Sequence, residues 1–141
     1  MAIQESLWAG YAQRAAEAVS DWRTINYLSA CTMAGAAAES ILIAVAIAKI
    51  KDEKRVLSEY RSSRGRDRII KRVIAGSTAG LGERFNNALG ILSFWRDEAG
   101  HGVASDIGEI EAHEAISRLL RLARFASENW TSLTAPLGSV D

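Results

Sequence analysis

The sequence of 141 residues has one cysteine, one proline and two histidines, and it carries no net charge. The single cysteine, Cys31, excludes an intramolecular disulfide, so we expect a reducing, cytoplasmic location. The single proline, Pro136, lies near the end and leaves the rest of the chain free to form helices. The first residues lack a basic stretch followed by an apolar core, which predicts that there is no secretory signal.

Alternating runs of valine, isoleucine and threonine are also absent, which argues against a sheet. Alanine, leucine, glutamate and arginine dominate, and their spacing predicts an all-α protein. A chain of this length buries enough surface to fold without a disulfide or a metal. We predict an up-and-down bundle of about five helices, with one domain over residues 1–131 and a tail over residues 132–141. The helices are expected at residues 3–22, 28–51, 52–75 with a break at 62–65, 81–98 and 107–130.

The longest apolar run covers residues 30–48 and has Glu39 at its centre. A carboxylate in the middle of a bilayer costs about 2.5–3.5 kcal/mol, so we predict a buried central helix and no membrane partner. A buried carboxylate needs a partner of its own. Two roles for Glu39 stay open: it orients a catalytic arginine or histidine, or it forms a structural ion pair.

Positive charge is concentrated in residues 49–72, which carry ten basic and four acidic groups. Five of these basic residues follow one another at helical spacing and would form a stripe on a continuous helix: Arg61, Arg64, Arg68, Lys71 and Arg72. Such a stripe is either a solvated face or a track that binds RNA phosphates.

The stretch "FWRDEAGHG" contains the most informative pair of residues, Arg96 and His101. Phe85, Leu89 and Leu92 precede Arg96 at spacings of one helical turn, so Arg96 ends an apolar stripe and does not continue a polar face. His101 stands between two glycines, where the helix should stop and where another backbone or a phosphate can approach. We therefore expect Arg96 and His101 to converge at the edge of the buried face. A structural role for Arg96 stays open, in which it stabilises the helix C-terminus through the helix dipole or pairs with Glu39 or Asp97.

This pair suits RNA cleavage without a metal. A histidine titrates near neutral pH and can exchange protons with the 2′-hydroxyl or the leaving 5′-oxygen. An arginine keeps its charge and matches a phosphate that gains negative charge. Glu98 and His101 also have the spacing of a di-iron motif, but a second copy of that motif is absent. We predict no metal and no cofactor.

Helix four, ending in "WRDEAGH", together with "AAAESILIAVAI" and the long last helix, resembles the HEPN superfamily over residues 30–130. The resemblance implies a homodimer that joins two R-x4–6-H motifs into a metal-independent endoribonuclease, often in toxin–antitoxin or phage-defence systems. It assigns Arg96 and His101 to catalysis, with Asp97 in support, and it implies RNA and an antitoxin or defence protein as partners. The supporting role of Glu39 comes from its place in the apolar helix and not from the resemblance. Other members of the superfamily have lost activity and serve as binding or scaffold modules, which is the alternative function.

Overall fold

The computed structural model describes residues 2–100 and 106–136, and for residues 2–7, 79, 96 and 100 it describes only the backbone. The described residues contain no strand, which confirms the all-α prediction. They form seven helices and not about five: α1 (Ala2–Arg23), α2 (Tyr27–Ile50), α3 (Glu53–Tyr60), α4 (Gly65–Ile74), α5 (Ala79–Gly100), α6 (Glu109–Glu128) and α7 (Trp130–Leu133).

Helix α2 is the centre of the bundle and contacts each of the other six helices. Six of its eight alanines and its larger residues Ile41, Leu42 and Val45 are almost completely buried. Small side chains let neighbouring helices approach α2 closely, and the branched ones fill the space between them. By length and composition α2 could span a membrane, yet 67% of its most apolar window is buried inside the bundle.

The predicted break near residues 62–65 is confirmed, and it divides the third helix into α3 and α4. Asp52 caps α3 by accepting a hydrogen bond from the Arg55 N–H at 3.1 Å. Arg64 adopts a left-handed conformation, with φ of 57°, just before α4 begins. Gly65 follows, and a Cβ atom at this position would lie 1.6 Å from the Glu59 carbonyl oxygen. The turn therefore requires glycine at position 65.

Two further residues, Leu133 and Cys31, are completely buried in the interior. Helix α7 follows α6 directly and buries Leu133 completely, next to α2 and α6. Cys31 on α2 is also fully buried. Burial, with a smaller contribution from the charge of Glu111, raises the pKa of the Cys31 thiol to about 11.

Candidate functional site

The apolar stripe of α5 is present as predicted. Phe85, Leu89 and Leu92 are each completely buried. Position 96 comes one helical turn after Leu92, still within α5. The side chain of Arg96 and the whole of His101 lie outside the described residues, and Asp97 is exposed.

Glu39 lies at the centre of a polar cluster that joins four helices. Arg66 on α4 donates from Nε to both carboxylate oxygens of Glu39, at 2.8 and 2.9 Å, and its Nη2 lies 2.7 Å from Oε1. Tyr60 on α3 donates its hydroxyl to Oε2 at 2.7 Å. Ser93 on α5 donates to Oε1 at 3.1 Å and accepts from Arg66 Nη2 at 2.7 Å. We call these four residues the Glu39 cluster.

At the centre of the Glu39 cluster is a charged carboxylate, and both of its oxygens accept hydrogen bonds. Burial acts to raise the pKa of Glu39, whose exposed fraction is only 5%. The hydrogen bonds from Arg66, Tyr60 and Ser93 outweigh burial and hold this pKa below its usual value. Because both oxygens already accept several donors, Glu39 is suited to positioning other groups and poorly suited to taking a proton.

One of the two open roles of Glu39 is thus observed, since it forms an ion pair with Arg66. Sequence reasoning did not single out Arg66. A usable signal existed, because Arg66 precedes the buried Ile69, Ile70 and Val73 at helical spacing. It begins the apolar stripe of α4 much as Arg96 ends that of α5.

Ser93 is a member of the Glu39 cluster and also a residue of α5, about one helical turn before position 96. The cluster therefore reaches α5 close to that position. Buried charges and hydroxyl groups therefore meet at the half of α5 that carries the "FWRDEAGHG" stretch. This juxtaposition is the feature of the described residues that bears most directly on Arg96.

Lys49 is a second buried charge on α2 that sequence reasoning missed. Its Nζ donates to the carbonyl oxygens of Val73 and Ala75, at 2.8 and 3.1 Å. These carbonyls lie at the C-terminal end of α4, where the helix dipole favours a cation. Burial lowers the pKa of Lys49.

The five residues predicted to bind RNA do not share one continuous helix. Arg61 and Arg64 lie in the break between α3 and α4, and the other three lie on α4. Arg68 and Arg72 are both tied to Glu59, at 3.4 and 2.8 Å. Over the described part of the chain Arg61, Arg64 and Lys71 form no ion pair, and they are exposed.

A groove of about 360 Å³ between α5 and α6 was not predicted from the sequence. Its lining combines three arginines and an asparagine with four apolar residues: Arg84, Asn87, Ala88, Ile91, Arg118, Arg121, Leu122 and Phe125. No sequence window shows this groove, because its two walls come from helices that are distant along the chain.

The other histidine, His113, lies on the exposed side of α6 as predicted, with its ring 5.8 Å from that of Trp22. Within residues 2–100 and 106–136, no three or more histidine, cysteine, aspartate or glutamate side chains gather in a way that would hold a metal ion.

The chain was compared with protein-family models, with curated proteins and with solved structures. None of the three comparisons finds a match. The resemblance to the HEPN superfamily is therefore carried by the residues of this sequence alone.

Proposed function

We propose that this protein is a metal-independent endoribonuclease of the HEPN type, and that Arg96 and His101 form its active site. The observation that carries the proposal is the position of Arg96. It follows the buried stripe of Phe85, Leu89 and Leu92 by one turn of α5, beside the Glu39 cluster. A phosphate site can be pre-organised where an arginine follows an apolar stripe on a helix that a buried charged network also contacts.

In the proposed reaction the 2′-oxygen of a nucleotide attacks the adjacent phosphorus and the 5′-oxygen leaves. His101 takes the proton from the 2′-hydroxyl, and His101 of a second copy gives a proton to the 5′-oxygen. Arg96 donates to the phosphate oxygens as their negative charge grows. The products are a 2′,3′-cyclic phosphate end and a free 5′-hydroxyl.

Glu39 acts here as a positioning residue, together with Arg66. The ion pair fixes α4 against α2, and the Ser93 hydroxyl connects it to α5. This arrangement supports the role in which Glu39 orients the active-site end of α5 without touching the substrate. Asp97, exposed on the same turn as Arg96, is proposed to support it.

Two copies are needed in this proposal, because one copy supplies only one His101. We propose a cytoplasmic homodimer that acts on RNA, with an antitoxin or a defence protein as a further partner. Sedimentation should show a dimer at micromolar concentration. If the protein stays monomeric throughout that range, the composite site is excluded.

The decisive experiment is RNA cleavage by the His101→Ala variant, with His113→Ala as the matched control. Loss of an acid–base group should reduce the rate by roughly 10²–10⁴, and Arg96→Ala should reduce it by about 10²–10³. His113 is the only other histidine, so its variant should cleave like the parent. Cleavage should survive EDTA and should fail on RNA with methylated 2′-hydroxyls.

Two results would contradict the proposal. Equal rates for His101→Ala and the parent would remove His101 from catalysis. A parent protein that binds RNA but never cleaves it, over the same range of conditions, would instead support the silent binding or scaffold module.

The exposed basic residues on α4 and before it are proposed to contact RNA phosphates. Of the five predicted residues, Arg61, Arg64 and Lys71 are the ones without an ion pair to any described residue. Changing these three to glutamine should weaken RNA binding. The slope of the logarithm of the binding constant against the logarithm of the salt concentration should become shallower by about 0.7 for each lost phosphate contact. An unchanged slope would show that these three residues form a solvated face and do not contact RNA phosphates.

A further inference from the structure

The surface of α5 that faces away from α2 carries two depressions that share a wall. The first is the groove between α5 and α6, and the second is lined by Asn86, Asn87, Gly90, Ile91 and Phe94. Asn87 and Ile91 line both of them, so the two are continuous. We call the combined depression the α5 groove. It runs for about 15 Å along α5, from Arg84 to Phe94.

Positive charge lines the first of the two depressions. Arg84, Arg118 and Arg121 all belong to its lining, and Arg118 is partly neutralised by Glu114 at 2.8 Å. Arg84 and Arg121 form no ion pair with any residue that the structure describes. The guanidinium carbon of Arg84 lies 4.6 Å from the centre of the Phe125 ring, which holds the guanidinium over an aromatic face. Its donors are thereby pre-organised for an anion.

An exposed aromatic residue lines the second depression. Phe94 is 59% exposed, and its ring meets that of Trp95 edge to face, with centroids 5.6 Å apart. An exposed aromatic ring provides a stacking surface for a nucleobase. Gly90, one turn earlier, has no atom within 4 Å of where its Cβ would be, so a ligand can approach the α5 backbone there.

From these features we infer that the α5 groove binds a single-stranded segment of RNA, with phosphates at Arg84 and Arg121 and a base stacked on Phe94. Cations in the first depression, an aromatic ring in the second and the Asn87 amide, which lines both, match the chemical parts of a nucleotide strand. The inference rests on the proposed function, which requires RNA as the substrate. Positions 94 and 96 lie about 200° apart around α5, so the α5 groove would bind RNA on the side of the helix that faces away from the buried stripe.

The test measures binding of a fluorescent oligouridine whose 2′-hydroxyls are all methylated, so that cleavage does not interfere. Arg84→Gln and Arg121→Gln should each weaken binding and lower the salt slope by about 0.7. Arg84→Lys should keep the slope but bind more weakly, because lysine lacks the planar fork. Phe94→Ala should lose about fivefold to a hundredfold in affinity with an unchanged slope.

Matched controls come from the same two helices. Arg124 lies on α6, is 81% exposed at its side chain, pairs with Glu128 and does not line the groove. Leu120 is an exposed apolar residue of α6 outside both depressions. Arg124→Gln and Leu120→Ala should bind the oligouridine like the parent.

Two outcomes would overturn the inference. One is equal binding by Arg84→Gln, Arg121→Gln and Arg124→Gln. The other is displacement of the oligouridine by an acidic peptide of the same charge as readily as by unlabelled RNA. If the parent cleaves RNA while the groove variants bind like the parent, only this inference fails. If the groove variants lose binding but the parent never cleaves, only the proposed function fails.

Discussion

The two buried charges of α2, Glu39 and Lys49, are stabilised in different ways. Glu39 is met by side chains from three other helices, one of which carries the opposite charge. Lys49 is met by main-chain carbonyls at the end of α4, and it forms no ion pair with a described residue. Both pKa values are lowered, but for opposite reasons: partners favour the charged form of Glu39, whereas burial disfavours the charged form of Lys49.

The comparison shows how α4 is positioned. Arg66, in the first turn of α4, donates to Glu39, and a carbonyl in the last turn of α4 accepts from Lys49. Glu39 and Lys49 lie about 15 Å apart along α2, and the two contacts of α4, at Arg66 and Val73, lie about 10 Å apart along α4. Helix α4 therefore runs in the same general direction as α2 and is held at both ends. At the first end α4 contributes a side chain, that of Arg66, whereas at the second end it contributes only main-chain carbonyls.

The largest effect is expected from Gly65→Ala, which breaks the first end of α4 at the turn before Arg66. The new Cβ would lie 1.6 Å from the Glu59 carbonyl oxygen, so the backbone has to move. We expect a loss of about 4 kcal/mol or more in the free energy of unfolding, measured by urea denaturation.

Gly90→Ala is the matched control for Gly65→Ala. Gly90 is also helical, but a Cβ there would meet nothing within 4 Å. Alanine should raise the free energy of unfolding by about 1 kcal/mol through helix propensity alone. Similar effects at both glycines would contradict the close packing assigned to the turn at Gly65.

Glu39→Ala is expected to cost about 3–5 kcal/mol, because it leaves Arg66 partly buried without its carboxylate. A double variant with methionine at positions 39 and 66 should recover much of that loss, since it removes both charges and keeps apolar volume. Urea denaturation of the single and double variants measures the coupling. A double variant no more stable than Glu39→Ala would show that the ion pair is not what the single change breaks.

Lys49→Met is expected to cost less, about 1–3 kcal/mol, because two carbonyls at the end of α4 lose a donor while no charge is left unpaired. The same denaturation measurement tests it. A loss as large as that of Glu39→Ala would mean that the two ends of α4 are not held in the different ways described above.

The smallest effect is a difference in pH dependence. The folded-state pKa of Glu39 is lowered from 4.5, so its contribution to stability is complete above that pH and is lost as pH falls through the folded value. Between pH 5 and pH 3 the parent should lose more stability than Glu39→Gln, measured by urea denaturation across this range. Parallel curves for the two proteins would contradict the lowered pKa.

Much of the helical layout could be read from the sequence, because periodicity is a local property. The stripe of Phe85, Leu89 and Leu92 and the break before Gly65 are examples. The partner of Glu39 could not be identified, because ten basic residues crowd residues 49–72 and only the turn before α4 brings Arg66 to α2. The α5 groove was missed because its first depression, which the three arginines line, requires α5 and α6 side by side.

The burial of Cys31 gives the protein an internal reporter of its own opening. A thiol reagent attacks the thiolate, and a fully buried group with a pKa of about 11 presents almost none. Labelling of this single cysteine therefore requires the helices around α2 to separate transiently. Its rate at neutral pH, without denaturant, measures how often each variant opens.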